Sequence, residues 1–142
     1  MERGITMRSF LRTISLAFAA GALGGLGKGF VVWLSGHVGI TAALGVKIAP
    51  AFTPSFLYPH VVWGGLWGFL FLLPILKSRW FARGLLFSLA PTLTQLCIIF
   101  PYKAHKGFMG VDLGLWTPLF VVAFNIVWGI VTALWLRWTG RQ

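Results

Sequence analysis

The sequence has almost no acidic residues. Glu2 and Asp112 are its two acids, against twelve lysines and arginines, and the formal net charge is +10. Charged residues make up 10% of the chain, whereas a typical soluble domain has about 25%. With a hydrophobic content of 58%, the chain has too few polar side chains to cover a soluble surface. The composition therefore excludes a cytosolic globular enzyme and predicts a membrane protein.

Long apolar runs are abundant. A bilayer core about 30 Å thick is crossed by about 20 apolar residues in a helix. Four stretches have this length, and they run approximately over residues 13–34, 58–76, 81–100 and 116–136. The runs lack the alternating polar face of barrel strands. We predict an all-α fold, an integral membrane four-helix bundle that forms a single transmembrane domain over residues 1–142. The second and third helices have a short connection, so we expect them to be antiparallel neighbours.

The basic residues predict the orientation of these helices. Cytoplasmic segments of membrane proteins are enriched in lysine and arginine. Eight of the basic residues flank the outermost spans or lie between the second and third spans, in the order Arg3, Arg8, Arg12, Lys77, Arg79, Arg83, Arg137 and Arg141. The other two connections carry three, Lys47, Lys103 and Lys106. This distribution predicts an N-in, C-in topology, and it explains the basic excess without a nucleic-acid partner.

The N-terminal segment has two interpretations. Arginines precede an apolar run with an Ala-Phe-Ala-Ala-Gly-Ala stretch, as in a cleavable signal peptide. The run continues to Leu34, however, and is longer than the core of a typical signal peptide. We therefore expect the segment to be retained as the first membrane helix.

Glycines recur at four-residue spacing on two of the predicted helices. Gly21, Gly25 and Gly29 share one face of the first span, and Gly64 and Gly68 share a face of the second. Glycine lets helix backbones approach closely in a membrane, where burial of apolar surface does not drive association. Two arrangements fit this pattern: packing inside one chain, or a seam between two copies.

Four polar side chains fall at similar depths in the predicted spans: Lys28, His60, Gln95 and Asn125. A charge in hydrocarbon is costly, and such residues usually face a cavity or a partner. Alternatively, Lys28 extends its long side chain to the lipid headgroups, and Gln95 and Asn125 join helices through hydrogen bonds. If the four side chains converge, they form a polar pocket in the outer half of the bundle.

Pro91 lies in the middle of the third span. Proline removes a backbone hydrogen bond, here to the carbonyl of Phe87, and predicts a kink. The hydroxyls of Ser88 and Thr92 are placed to help satisfy the freed backbone groups.

Residues for catalysis and for metal or cofactor binding are scarce. The chain has no pair of carboxylates for acid–base catalysis. Its single cysteine, Cys97, lies in apolar sequence and offers neither a disulfide nor a Cys–His pair. His37, His60 and His105 fall at the predicted outer edge of the membrane, away from the positions of haem ligands. We expect no catalytic residue, no cofactor and no metal site.

The order of these features resembles the YagU-like family of small bacterial inner-membrane proteins. The likeness rests on a glycine-rich first span that runs from Gly25 through Lys28 to Trp33, the prolines Pro50 and Pro54, and the motifs His60-Val-Val-Trp63, Arg83-Gly-Leu-Leu, Gln95-Leu ahead of Phe100-Pro101, and Asn125-Ile-Val-Trp128. This sequence departs from the family in its shorter outer loops and its scarcity of acids. The resemblance implies a multi-pass inner-membrane protein connected with envelope or acid-stress physiology, and it implies no catalytic residues.

Two functions follow from the sequence. The first is a non-catalytic structural or assembly component of the envelope, which contacts the lipid bilayer and associates with itself or with a membrane-complex partner through the Gly21, Gly25 and Gly29 face. The alternative is a small transporter or channel in which Lys28 attracts an anionic solute. A conduction path needs polar residues through both halves of the membrane, and the inner half is nearly all apolar. The assembly role is therefore the first expectation.

Overall fold

The computed structural model describes the backbone of residues 2–76 and 78–139, with side chains from residue 7 onward. Within these residues every regular element is helical, which confirms the all-α prediction. The α-helices are α1 (Glu2–His37), α2 (Ile40–Ala43), α3 (Pro54–Trp67), α4 (Trp80–Thr94) and α5 (Thr117–Trp138). Helix α3 continues as a 3-10 helix over Gly68–Leu72, α4 continues as a π-helix over Gln95–Lys103, and a 3-10 segment covers Phe108–Leu113.

Four helical segments of the described chain are long and apolar enough to cross a membrane. They are Met7–His37, Pro54–Leu72, Trp80–Lys103 and Thr117–Trp138. They match the four predicted spans apart from their ends. The second span ends at Leu72, short of residue 76, because Pro74 disfavours a helical backbone at Leu73, which is extended. Lys77 and Arg141, which contribute to the orientation prediction, lie outside the described residues, as does the side chain of Arg3.

Helix α1 packs along α3 on one side and along α5 on another, and α4 packs along α5. The helices therefore follow the spatial order α3, α1, α5, α4. In the described chain α3 and α4 do not pack along their length, so the expectation that they are neighbours is wrong. They meet near their connection, where the rings of Phe71 and Phe87 lie edge to face, with centroids 4.8 Å apart.

The glycine faces join α1 to α3. A methyl group added at Gly64 would lie 2.9 Å from the Cα of Gly25, and one at Gly68 would lie 3.0 Å from the Cα of Gly21. Gly29 lies against the side chains of Leu57 and His60. The face expected to join two copies is thus covered by α3 of the same chain, because backbones in this close contact leave no room for another helix.

Trp128 links α5 to this pair of helices. The side chain is buried, and its indole N–H donates to the carbonyl oxygens of Gly21 and Gly64, at 3.2 Å each. Close backbone approaches on either side involve Gly24 against Trp128 and Gly84 against Gly129. Gly24, Gly84 and Gly129 do not have the four-residue spacing of the glycines that join α1 to α3.

The two ends of the bundle are built differently. We call the end that holds residues 73–76, 78 and 79 the terminal end, and the end that holds residues 38–53 and 104–116 the loop end. At the terminal end an apolar cluster that includes Phe71, Phe87, Trp128 and Leu136 fills the interior. At the loop end, residues 38–53 fold back over the bundle and bury Val46 among the helices.

Candidate functional site

Two neighbouring cavities lie in the half of the bundle nearer the loop end. The first, of about 440 Å³, lies under the folded-back segment at residues 47–50, and we call it the vestibule. The second, of about 330 Å³, lies between α3 and α4, where these helices do not pack, and we call it the crevice. Both volumes fall within the range of about 300–1,000 Å³ that is typical of small-molecule sites.

The four polar residues singled out in the sequence meet at these cavities. Lys28, His60 and Gln95 line both cavities, and Asn125 lines the crevice. Lys28 lies near the other three because it shares the inner face of α1 with Gly25 and Val32. Four different helical segments therefore contribute to one polar region.

Lys28 is a cation inside the bundle. It lies nine residues before the end of α1 at His37, about 13 Å along the helix. Its ammonium has no hydrogen-bond or ion-pair partner among the described residues. Lys28 is half-buried and lines both cavities.

The walls around Lys28 are positively charged. Lys47 also lines the vestibule and Lys103 also lines the crevice, and no described residue of either wall is acidic. Asp112, the acid whose side chain the structure describes, is exposed outside both cavities. The cavities therefore carry an uncompensated positive charge, which favours an anionic ligand.

His60 has a defined tautomer. Its Nδ1 lies 2.9 Å from the carbonyl oxygen of Phe56. A carbonyl can only accept a hydrogen bond, so Nδ1 carries the proton. The remaining ring nitrogen, Nε2, is left to accept a hydrogen bond, or to donate one when the ring is charged.

Gln95 and Asn125 join two helices and line the crevice at the same time. The Asn125 side-chain amide donates to Oε1 of Gln95 at 3.3 Å. Asn125 is 1% exposed, while Gln95 is half-buried at the start of the π-helix. The two amides therefore join two helices through a hydrogen bond and also line a polar cavity, which are the two roles that the sequence allowed. Wide π-turns are frequent at functional sites.

Pro91 is buried and lines the crevice. Helix α4 continues through it to Thr94 and widens into the π-helix at Gln95, so the helix changes type four residues after the proline. The hydroxyl of Thr92 donates to the Ser88 carbonyl, and that of Ser88 donates to the Leu85 carbonyl, both at 2.7 Å. These hydroxyls therefore bond carbonyls other than that of Phe87.

Tryptophan and aliphatic side chains form the rest of the crevice. Trp63 lines it and is 57% exposed, which places this ring at the mouth; Thr94 and Ile99 line the crevice from the segment of α4 and its π-helix. Trp67 and Trp128 also line it. Trp128 belongs as well to the apolar cluster of the terminal end. The crevice is therefore closed on that side.

Arg83, which the sequence suggested as a cytoplasmic loop charge, is 1% exposed. Its Nη2 donates to the carbonyl oxygens of Phe71, at 2.6 Å, and of Leu73, at 2.8 Å. Its guanidinium also lies over the rings of Phe71 and Phe87, at 5.3 and 5.6 Å from their centroids. Arg83 thus caps the 3-10 helix at the terminal end and takes no part in the cavities.

Among the described residues, no group of three or more His, Cys, Asp or Glu side chains is arranged to hold a metal ion. Sequence reasoning missed Lys47, Lys103 and Trp63 as cavity residues. The charges of the lysines were visible, but spacing does not show that the loop of Lys47 folds back over the bundle.

Comparisons with protein-family models, with curated proteins and with solved structures found no match to this chain. The YagU-like resemblance therefore rests on its short motifs and stays a prediction.

Proposed function

We propose that this chain is a multi-pass protein of a bacterial inner membrane, with both termini in the cytoplasm, that binds a compound carrying an anionic group. The observation that carries this proposal is the position of Lys28, which lines both cavities without an acidic residue in their described walls. The proposal follows the sequence-based alternative of an outward-facing polar pocket around Lys28.

An anion would gain from several groups at this place. A hydrogen bond to a charged group contributes about 1.5–3 kcal/mol. Lys28 supplies a cation, and Gln95 and His60 supply polar atoms on the shared wall. Neutralising a lysine that is surrounded by apolar helices also removes part of the cost of its burial.

Binding fits the cavities better than open conduction does. The terminal end is filled by Phe71, Phe87 and Leu136, none of which lines either cavity. The buried Arg83 beside them is held by backbone carbonyls. We propose that the protein has no catalytic activity of its own, because no described residue of the cavity walls is a carboxylate that could form an acid–base pair with Lys28 or His60.

An assembly role for the chain stays a prediction. The glycine face expected to mediate it packs on α3, so association through Gly21 and Gly25 would require displacement of that helix. No described feature of this face favours assembly over ligand binding.

A titration with butyrate tests the proposal. The protein is placed in nanodiscs of zwitterionic phosphatidylcholine, and binding is followed by NMR saturation transfer. We expect Lys28→Met to weaken butyrate binding by about tenfold, which corresponds to the loss of about 1.4 kcal/mol. Lys106→Met is the matched control, because Lys106 is exposed and lines neither cavity. Equal affinities of the wild type and Lys28→Met would contradict the proposal.

A further inference from the structure

We infer that the anionic group belongs to a single-chain amphiphile, and that its chain lies in the crevice between α3 and α4 after entering from the bilayer. This inference rests on the proposed function, because it places the acidic head at Lys28. It adds the chemical class of the ligand and its route of entry.

The crevice opens sideways. In the described chain α3 and α4 meet near their connection and do not pack along their length. Trp63, at the mouth, lies nine residues beyond the start of α3, about 13 Å along the helix. In a hydrocarbon core about 30 Å thick, this position faces lipid chains.

The walls separate polar from apolar groups. Lys28, His60 and Gln95 lie where the crevice borders the vestibule. Two more polar residues line the crevice: Asn125, which donates to Gln95, and Lys103, at the end of the π-helix that begins at Gln95. Trp67 and Trp128 line the crevice but not the vestibule. Together with the apolar cluster at the terminal end, they form the apolar part of the crevice. A ligand that follows this division has an acidic head on the vestibule side and a hydrocarbon chain along the tryptophans.

The volume favours one chain over two. The crevice measures about 330 Å³, near the lower limit for small-molecule sites. A compound with an acidic head and one acyl chain fits this size and the charge of the walls. The inferred class is therefore a fatty acid or a similar monoanionic single-chain lipid.

A variant that fills the crevice distinguishes binding of the ligand's hydrocarbon chain from binding of its acidic head. Thr94 is half-buried and lines the crevice, so we expect Thr94→Phe to fill it. The matched control is Leu93→Phe, because Leu93 is 58% exposed and lines neither cavity. Binding of tritiated dodecanoate to protein in phosphatidylcholine nanodiscs is measured after subtraction of empty nanodiscs, with tritiated dodecanol as the uncharged chain.

We expect Thr94→Phe to lower dodecanoate occupancy by about tenfold and to weaken butyrate binding much less, because steric filling acts mainly on a long chain. Leu93→Phe should bind both compounds as the wild type does, and dodecanol should bind more weakly than dodecanoate. If Thr94→Phe does not fold, Ile99→Trp in the crevice wall and the exposed Ile98→Trp replace this pair of variants.

The outcomes separate the two proposals. Unchanged dodecanoate binding in the folded crevice variant would overturn the inference, while the loss of butyrate binding in Lys28→Met would still support the proposed function. Equal binding of dodecanol and dodecanoate, with no effect of Lys28→Met on either anion, would overturn both.

Discussion

Lys28 and Arg83 are both cations inside the spans, but they are held in different ways. Arg83 donates to two backbone carbonyls and stacks over two aromatic rings. Lys28 has no such partner among the described residues and borders two cavities. A planar guanidinium suits a fixed structural contact, whereas a flexible ammonium acts as a point charge for a ligand. The residues therefore separate into a structural cation and a candidate binding cation.

Replacing Arg83 tests its structural role. Arg83→Met leaves the carbonyls of Phe71 and Leu73 without their donor, at about 1–3 kcal/mol each. Loss of the buried charge offsets part of this cost, because Nε and Nη1 of Arg83 have no hydrogen-bond partner among the described residues. We expect the free energy of unfolding to fall by about 2 kcal/mol, measured by denaturant titration in bicelles. Arg79→Met, at an exposed position, should change it by less than about 0.5 kcal/mol.

An unchanged unfolding free energy in Arg83→Met would show that the two carbonyls find other donors. An equal loss in Arg79→Met would attribute the effect to the net charge of the chain instead of to the buried contacts.

At the scale of helices, close glycine contacts decide which helices are neighbours. Val62-Trp63-Gly64 recurs as Val127-Trp128-Gly129. In both copies the glycine meets a glycine of the helix it packs on, since Gly64 contacts Gly25 and Gly129 contacts Gly84. The tryptophans differ, because Trp63 is exposed while Trp128 is buried. The shared residues thus allow close packing without determining the environment of the aromatic ring.

Two alanine substitutions on α1 test the glycine contacts between α1 and α3. A methyl group at Gly25 would collide with the carbonyl oxygen of His60, whereas one at Gly27 lies 3.4 Å from the Val131 side chain. We expect Gly25→Ala to lower the free energy of unfolding by about 1–3 kcal/mol, because the helices must separate. Gly27→Ala should be neutral or stabilising by up to about 1 kcal/mol, since alanine favours helix.

The same denaturant titration measures both variants. If Gly25→Ala is as stable as Gly27→Ala, then α3 does not cover this face of α1 in the membrane. In that case the glycine face of α1 would be open to contact with a second copy of the chain.

At the scale of the whole molecule, the distribution of charge predicts which end of the bundle faces the cytoplasm. The terminal end carries Arg8, Arg12, Arg79 and Arg137 near its surface, and the loop end carries Lys47, Lys103 and Lys106. This distribution favours a cytoplasmic terminal end. The cavities, which lie nearer the loop end, would then be accessible from outside the cytoplasm.

Single cysteines on a Cys97→Ala background test this orientation. Ser78 and Ala104 are both exposed and lie at opposite ends of the bundle. In intact spheroplasts we expect a membrane-impermeant maleimide to label Ala104→Cys, and to label Ser78→Cys only after the membrane is permeabilised. The reverse pattern would contradict the N-in, C-in prediction.

The fold class, the number of helices long enough to cross a membrane and the residues of the polar region were predictable from the sequence. A helix that crosses a membrane must satisfy its backbone hydrogen bonds internally, so the length and hydropathy of each segment define it without reference to its neighbours. Lys28, His60, Gln95 and Asn125 stood out because polar groups are rare in apolar spans. These inferences rely on properties of single segments.

The neighbours of each helix were decided by the tertiary structure. The short connection between α3 and α4 suggested that they pack together, yet they are joined through α1 and α5, because glycine contacts bring α1 to α3 and α4 to α5. That arrangement opens the crevice and places Lys28 at its wall. A sequence determines which segments are helical through local hydrogen bonding and hydropathy, whereas a cavity depends on shape complementarity between segments that are distant in the chain.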